Sequence, residues 1–240
     1  MTRFLVRALA AVALAAVCGL PAQAQAQPQL VRYDFSGQQQ NATTVPPTFI
    51  AAGLDASPLR GDGVNNRPVI LFRPDGVGTI SNSFVGSGFS TTTVANAGYY
   101  SFSITPKVDG VLNFTSANLL FSGNSESQGP INFQLFSTFT GFTTPIGTIA
   151  VTPADANYAI PLTTLMPQTV TQGTAYEFRL AGAGAGSSSG VFDLNDRSTG
   201  GGLELGGTFT PVPEPTFVLA ACALVMGTVA RVRSRRPVGC

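Results

Sequence analysis

Between residues 25 and 210 the apolar residues of this chain recur with a period of two over short stretches, and no sustained apolar stripe appears at helical spacing. Tyr100, Phe102 and Ile104 alternate with Ser101, Ser103 and Thr105. Ile131, Phe133 and Leu135 alternate with Asn132 and Gln134, and Tyr176, Phe178 and Leu180 with Glu177 and Arg179. Leu203 and Leu205 flank Glu204 in the same way. Successive side chains of a strand point to opposite faces, so this pattern describes strands with one apolar and one polar face. Residues 31–35 and 69–72 read as further strands. Polar and Pro-rich residues 37–47 read as a loop, and 61–66 as a turn dense in Gly, Asp and Asn. Asp109-Gly110 is a tight-turn signal, which predicts a hairpin over residues 99–121. Residues 162–166 allow one helical turn, and the low-complexity segment AGAGAGSSSG at 181–190 reads as a loop between strands. No fixed-period repeat is present, which argues against a propeller or solenoid. The expected fold is all-β, a single β-sandwich or jelly-roll-like domain.

Composition removes whole classes of chemistry from that domain. The chain has no histidine, so neither a Ser-His-Asp nor a Cys-His nucleophile can be assembled. Its three cysteines are Cys18, Cys222 and Cys240, all outside residues 25–210, so the domain uses neither disulfides nor His/Cys zinc sites. Of the 13 basic residues six lie in the end segments, and of the 12 acidic residues only Glu214 does, which leaves the domain near −4. That sign gives no support to nucleic-acid binding.

The two ends read differently from the middle. Arg3 and Arg7 precede an apolar run over residues 9–20, and Ala22-Gln23-Ala24 and Ala24-Gln25-Ala26 are overlapping small-residue cleavage candidates. Residues 1–24 therefore read as a secretory signal peptide, with signal cleavage at Ala22, Ala24 and Ala26. A retained anchor is the rival reading, and bulky Val17 before Cys18 argues against a lipoprotein. At the other end, Pro211, Pro213 and Pro215 favour an extended, solvated segment. Residues 216–230 are uncharged and mostly apolar, somewhat short of the roughly 20 residues of a bilayer span. Snorkelling of Arg231 lengthens the run, and Arg231, Arg233, Arg235 and Arg236 form a stop-transfer cluster held on the cytoplasmic side. The expectation is a C-terminal transmembrane helix followed by a short cytoplasmic end at 237–240. The rival reading is a buried C-terminal helix of the domain.

Val212-Pro213-Glu214-Pro215, then the apolar run, then the arginine cluster, together resemble the PEP-CTERM sorting signal of Gram-negative bacteria, here over residues 211–236. The resemblance covers about one eighth of the chain, and it lies in the three-part order rather than in the tripeptide alone. It implies recognition and processing by an exosortase-type membrane enzyme at Val212, Pro213, Glu214 and Pro215. It also implies an inner-membrane-anchored precursor and association with an exopolysaccharide or biofilm matrix. The short extension after Arg236 departs from members that stop at the arginines. The segments GYYSFSITPKVDGVLNFTSANLLF, QGPINFQLFST, YEFRLAG and GGLELGGTF resemble a β-sandwich region found in exported PEP-CTERM proteins, a region without a defined activity.

No residue pattern selects a catalytic centre, a metal or a cofactor. Arg60-Gly61-Asp62 spells an adhesion tripeptide but reads better as a turn. Asp193, Asn195 and Asp196 cluster oxygen ligands without EF-hand spacing, and Asp62, Asn65 and Asn66 do no better. Eleven acids allow many glycosidase-like pairs, and no spacing selects one. Tyr99, Tyr100, Tyr158 and Tyr176 could stack on sugars, but their alternation suits core packing, and the chain has no tryptophan. The Gly-rich run 182–190 lacks the lysine of a phosphate loop. Three readings remain, in this order: a non-enzymatic exported cell-surface or matrix protein, a carbohydrate-binding lectin-like module, and a secreted carboxylate-dependent glycoside hydrolase.

Overall fold

The structure is a computed structural model that describes residues 28–39, 41–62, 69–74, 80–89, 98–126, 128–187, 190–196 and 202–212, and for 69–74 and 80–82 the backbone. It is all-β, and every described strand pairing is antiparallel. The first sheet runs β3 (Phe49–Ile50), β1 (Gln29–Tyr33), β17 (Leu203–Gly206), β10 (Asn118–Ser125), β16 (Val191–Asn195), β7 (Ile80–Ser87), β6 (Val69–Pro74), with β13 (Ala156–Pro161) also paired to β10. The second runs β12 (Gly147–Ala150), β11 (Asn132–Ser137), β15 (Tyr176–Ala183), β8 (Tyr99–Pro106), β5 (Leu59–Asp62), β2 (Thr44–Val45), with β4 (Leu54–Ala56) beside β8. A small third sheet joins β14 (Gln168–Val170), β9 (Gly110–Asn113) and β18 (Thr208–Pro211).

The alternation in the sequence sets which residues meet between the sheets. Tyr100, Phe102 and Ile104 of β8 are buried, as are Phe133 and Leu135 of β11 and Phe178 and Leu180 of β15. They share one core with Tyr33, Phe84, Phe121 and Phe192 of the first sheet. Rings touch across the interface: Tyr33–Phe102 at 5.4 Å, Phe84–Tyr100 at 5.8 Å and Phe133–Phe192 at 4.6 Å between centroids. Such pairs add about 0.5–1.5 kcal/mol each beyond the area they bury. Two phenols also cross the gap, Tyr33 to the Ser57 carbonyl at 2.6 Å and Tyr100 to the Phe192 carbonyl at 2.8 Å. Burial pushes both phenol pKa values well above the usual tyrosine range, and the negative charge of Asp193 adds to the effect at Tyr100.

Several local expectations change. The hairpin expected over 99–121 does not form: β8, β9 and β10 join three different sheets. Asp109-Gly110 sits at a crossover, where the Asp109 side chain accepts the Gln172 N–H at 2.8 Å. Gly110 lies so close to the Phe209 ring that a Cβ there would be 2.3 Å from it. A turn dipeptide encodes a bend but not the strand that follows as partner. The strand read over 31–35 occupies Gln29–Tyr33 instead, with a bulge between Gln29 and Val31 that leaves Leu30 and Val31 both buried. Arg60-Gly61-Asp62 is not a turn but part of β5. Residues 162–166 make one turn, closed by the Leu165 N–H on the Leu162 carbonyl at 2.9 Å. The low-complexity segment contributes its first three residues to β15. Pro211 does not stop the ladder: it pairs with Gly110 at the end of β18, and the Val212 N–H then reaches the Asp109 carbonyl at 2.9 Å.

Among the described residues no helix is long and apolar enough to cross a membrane. The signal peptide read over 1–24 and the helix read over 216–230 lie outside the described residues.

Candidate binding groove

On the outer face of the second sheet the polar half of each alternating strand forms cross-strand rows. Phe136, Arg179, Ser101 and Arg60 stand opposite one another on β11, β15, β8 and β5. One step along, Gln134, Ala181, Tyr99 and Asp62 make the adjacent row. Directly opposed side chains on one face lie about 4.5–5.5 Å apart, so these rows interact. Arg60 pairs with Asp62 at 2.6 Å, and Ser101 donates to the same carboxylate at 2.6 Å. The Arg-Gly-Asp sequence therefore closes on itself along a strand rather than presenting both charges from a loop.

Arg179 is the centre of the face. Its Nε and Nη2 donate to the two carboxylate oxygens of Glu177 at 2.9 and 3.2 Å. Its guanidinium carbon lies 3.8 Å from the centroid of the Phe142 ring and 4.8 Å from that of Tyr99. The hydrogen bond to Glu177 is the main reason its pKa rises, against an opposing contribution from burial. With two rings and a bidentate carboxylate, the planar group is held in one orientation.

The ring of Phe142 is placed by a turn that follows β11. A short 3-10 turn, Thr138–Thr140, is capped by the Ser137 hydroxyl, which accepts the Phe139 N–H at 3.2 Å. Gly141 and Phe142 then both adopt left-handed conformations, at φ 59° and 57°. Gly141 does so freely, but for a bulky residue such as Phe142 this backbone costs roughly 1–2 kcal/mol. The conformation is retained with the Phe142 N–H on the Ser137 carbonyl at 3.2 Å and the ring over Arg179.

Between these groups lies a hollow of about 270 Å³, lined by Tyr99, Gln134, Phe136, Phe142, Arg179 and their neighbours. A second, more polar hollow of about 200 Å³ lies beside it, lined in part by Ser57, Arg60, Ser101, Ser103 and Glu177. Gln134 is half-buried, and its side-chain amide makes no hydrogen bond to a described residue.

The residues singled out from sequence are scattered. Tyr100 and Tyr158 are in the core, Tyr176 stacks on Phe139 at 4.9 Å, and Tyr99 alone of the four lines the groove. Asp193, Asn195 and Asp196 do not converge. Asp193 is buried, and the Asn195 amide bonds Asp155 at 2.6 Å and Asn124 at 3.3 Å. The two oxygens of Asp196 each accept a backbone N–H, from Phe35 and Ser36, at 2.7 Å. Among the described residues no three acidic, histidine or cysteine side chains converge as for a metal. Of the sorting motif, Val212 is described and is 51% exposed. Pro213, Glu214, Pro215, Ala22, Ala24, Ala26, Asn65, Asn66, Arg231, Arg233, Arg235 and Arg236 lie outside the described residues.

Arg179, Glu177, Phe142, Gln134 and Phe136 were missed as site residues. Alternation in YEFRL and NFQLFS does put Glu177, Arg179, Gln134 and Phe136 on outer faces, but no pattern in the FTGF segment brings Phe142 back over them.

No family model and no curated protein matches this chain. One solved structure that is similar is the enzymatically active domain of tailspike protein 4 from bacteriophage CBA120, at 14% identity and a TM-score of 0.23, over 65% of this chain and 20% of that one.

Proposed function

We propose that the chain is an exported, non-enzymatic protein of the bacterial cell surface or extracellular matrix, delivered by a PEP-CTERM-type tail and built on one β-sandwich. On this reading residues 1–24 direct export, the helix over 216–230 holds the precursor in the inner membrane, and an exosortase-type enzyme acts at Val212, Pro213, Glu214 and Pro215. The observation that carries the reading is where the chain leaves the described sheets. Val212 is 51% exposed and held by one backbone bond to Asp109, so the motif begins at the surface and not in the core.

The hydrolase reading finds less support than the structural one. Each described carboxylate already has a partner: Asp34 with Arg32, Asp55 with Lys107, Asp62 with Arg60, Glu177 with Arg179, Asp109 and Asp196 with backbone N–H groups, and Asp155 with Asn195. Glu126, Asp193 and Glu204 are also engaged. A glycosidase holds two carboxyls across the scissile bond.

The test is the mature C-terminus, read by mass spectrometry together with the cell fraction. In an exosortase-bearing host the protein is shortened near Pro213 to Pro215 and recovered from the surface or matrix. An intact chain through Cys240 in the mature surface protein would overturn processing at this motif.

A further inference from the structure

We propose that the groove centred on Arg179 binds a neutral polysaccharide, with a pyranose ring against Tyr99 and Phe142 and its hydroxyls on Arg179 and Gln134. The proposal deepens the reading of the chain as a matrix protein and rests on it for the choice of a polymer as ligand.

Four observations converge on that ligand. First, Gln134 offers an amide with two donors and an acceptor that no described residue uses. A half-buried amide left this way is stabilised by a partner with both hydroxyl donors and acceptors. Second, Glu177 takes Nε and one hydrogen of Nη2, which leaves the other donors of the Arg179 guanidinium without a described partner. Third, Tyr99 and Phe142 line the hollow, and beyond the face each ring gives to Arg179 they present apolar ring atoms to the C–H side of a sugar. The Phe142 wall is kept at a backbone angle of φ 57°, a strained conformation of the kind that collects at ligand sites. Fourth, charge decides between neutral and acidic polymers. Arg60 and Arg179 are matched by Asp62 and Glu177 on the same face, with pairs at 2.6 and 2.9 Å. No excess positive field remains to draw a uronate or sulfate, whereas paired charges are good donors and acceptors for hydroxyls.

The dimensions suit a chain better than a free sugar. The first hollow, about 270 Å³, is smaller than drug-sized sites of about 300–1,000 Å³ and has room for about one ring. The second is lined by Glu177, two residues from Arg179 on β15 and so about 6.6 Å along the strand. Consecutive rings of one polymer therefore reach both.

The experiment is calorimetric titration of the full-length chain, in mild detergent, with a panel of neutral hexasaccharides (gluco-, manno- and galacto-) and with an oligogalacturonate. At least one neutral member binds, and the uronate binds more weakly. Gln134→Ala weakens binding about tenfold without lowering the melting temperature. Phe142→Gly weakens it at least as much, and its melting temperature changes little, because relief of the left-handed backbone offsets the lost ring contacts with Arg179, Phe136 and Ala181. The proposal is overturned if no neutral member binds at millimolar concentration, if both variants bind as the parent does, or if the uronate binds more tightly. Failure here leaves the mature C-terminus and cell fraction untouched, so the two readings fall separately.

Discussion

The hydroxyl of Tyr100, on β8 of the second sheet, donates to the main-chain carbonyl of Phe192, on β16 of the first, at 2.8 Å. The ring-against-ring contacts between the sheets tolerate sliding; this bond does not. Replacing Tyr100 by Phe keeps the ring contacts with Phe84, Phe89 and Phe133 and removes only the hydroxyl. The expected loss is about 1 kcal/mol, seen as a lower urea midpoint with an unchanged slope. An unchanged midpoint would show that the hydroxyl adds no net stability.

Burial of Tyr33 and Tyr100 makes alkaline stability a second test. Both phenols have pKa values raised in the folded protein, chiefly by burial. A raised folded pKa means the unfolded chain loses its phenolic proton first, near its usual value of about 10. The contribution is fully present below that pH and is lost as pH rises toward the folded values. Above pH 10 each phenol removes about 1.4 kcal/mol per pH unit, so the pair removes roughly 2.7. Unfolding free energies measured from pH 8 to 11.5 are expected to fall on this slope. The Tyr33→Phe, Tyr100→Phe double variant should flatten it, and an equally steep fall in that variant would assign the effect elsewhere.

The oxygen-rich segment at residues 193–196 gives a third prediction. Its spacing invites a calcium reading, but Asp196 accepts two backbone N–H groups just past β1, where the ladder to β17 has ended. The carboxylate replaces the bonds that Phe35 and Ser36 would make in a longer strand. Asp196→Ala is expected to cost about 1–3 kcal/mol, and Asp196→Asn less, since the amide keeps one acceptor. Chelator should leave the parent's melting temperature unchanged. A calcium-dependent melting temperature that disappears in Asp196→Ala would restore the ligand reading.

The same segment shows where sequence reading stops. Period-two alternation named the faces correctly for β8, β11 and β15, because one-sided burial of a strand is a local property of its own side chains. Partnership is not local. Asp109-Gly110 bends the chain in both the expected hairpin and the observed crossover, and the choice lies with residues far away, among them Phe209 against Gly110. Gly123 is another case: a Cβ there would be 2.1 Å from the Asp193 carbonyl of the neighbouring strand, a constraint invisible without the pairing. The groove divides in the same way. Arg179 and Glu177 are legible as outward neighbours on one strand, whereas the return of Phe142 over them depends on a left-handed turn at a residue type that seldom adopts one.

Pairing of β18 with β9 makes the position of any C-terminal cut consequential. Thr208, Phe209, Thr210 and Pro211 align with Asn113, Leu112, Val111 and Gly110, and Val212 adds its bond to Asp109. The Phe209 ring also lies against Gly53, with a would-be Cβ at 2.8 Å, so this strand closes one end of the core. A chain shortened after Val212 keeps all of these contacts; a chain shortened after Gly207 loses the strand and the Phe209 ring packed against the core. The expected difference between the two truncated forms is roughly 3 kcal/mol or more, from the lost ring and ladder bonds together. Melting curves of both forms, made with stop codons at those points, measure it directly. Equal stability would mean that β18 is dispensable. It would also mean that processing within the strand, rather than beyond Val212, is compatible with a folded product.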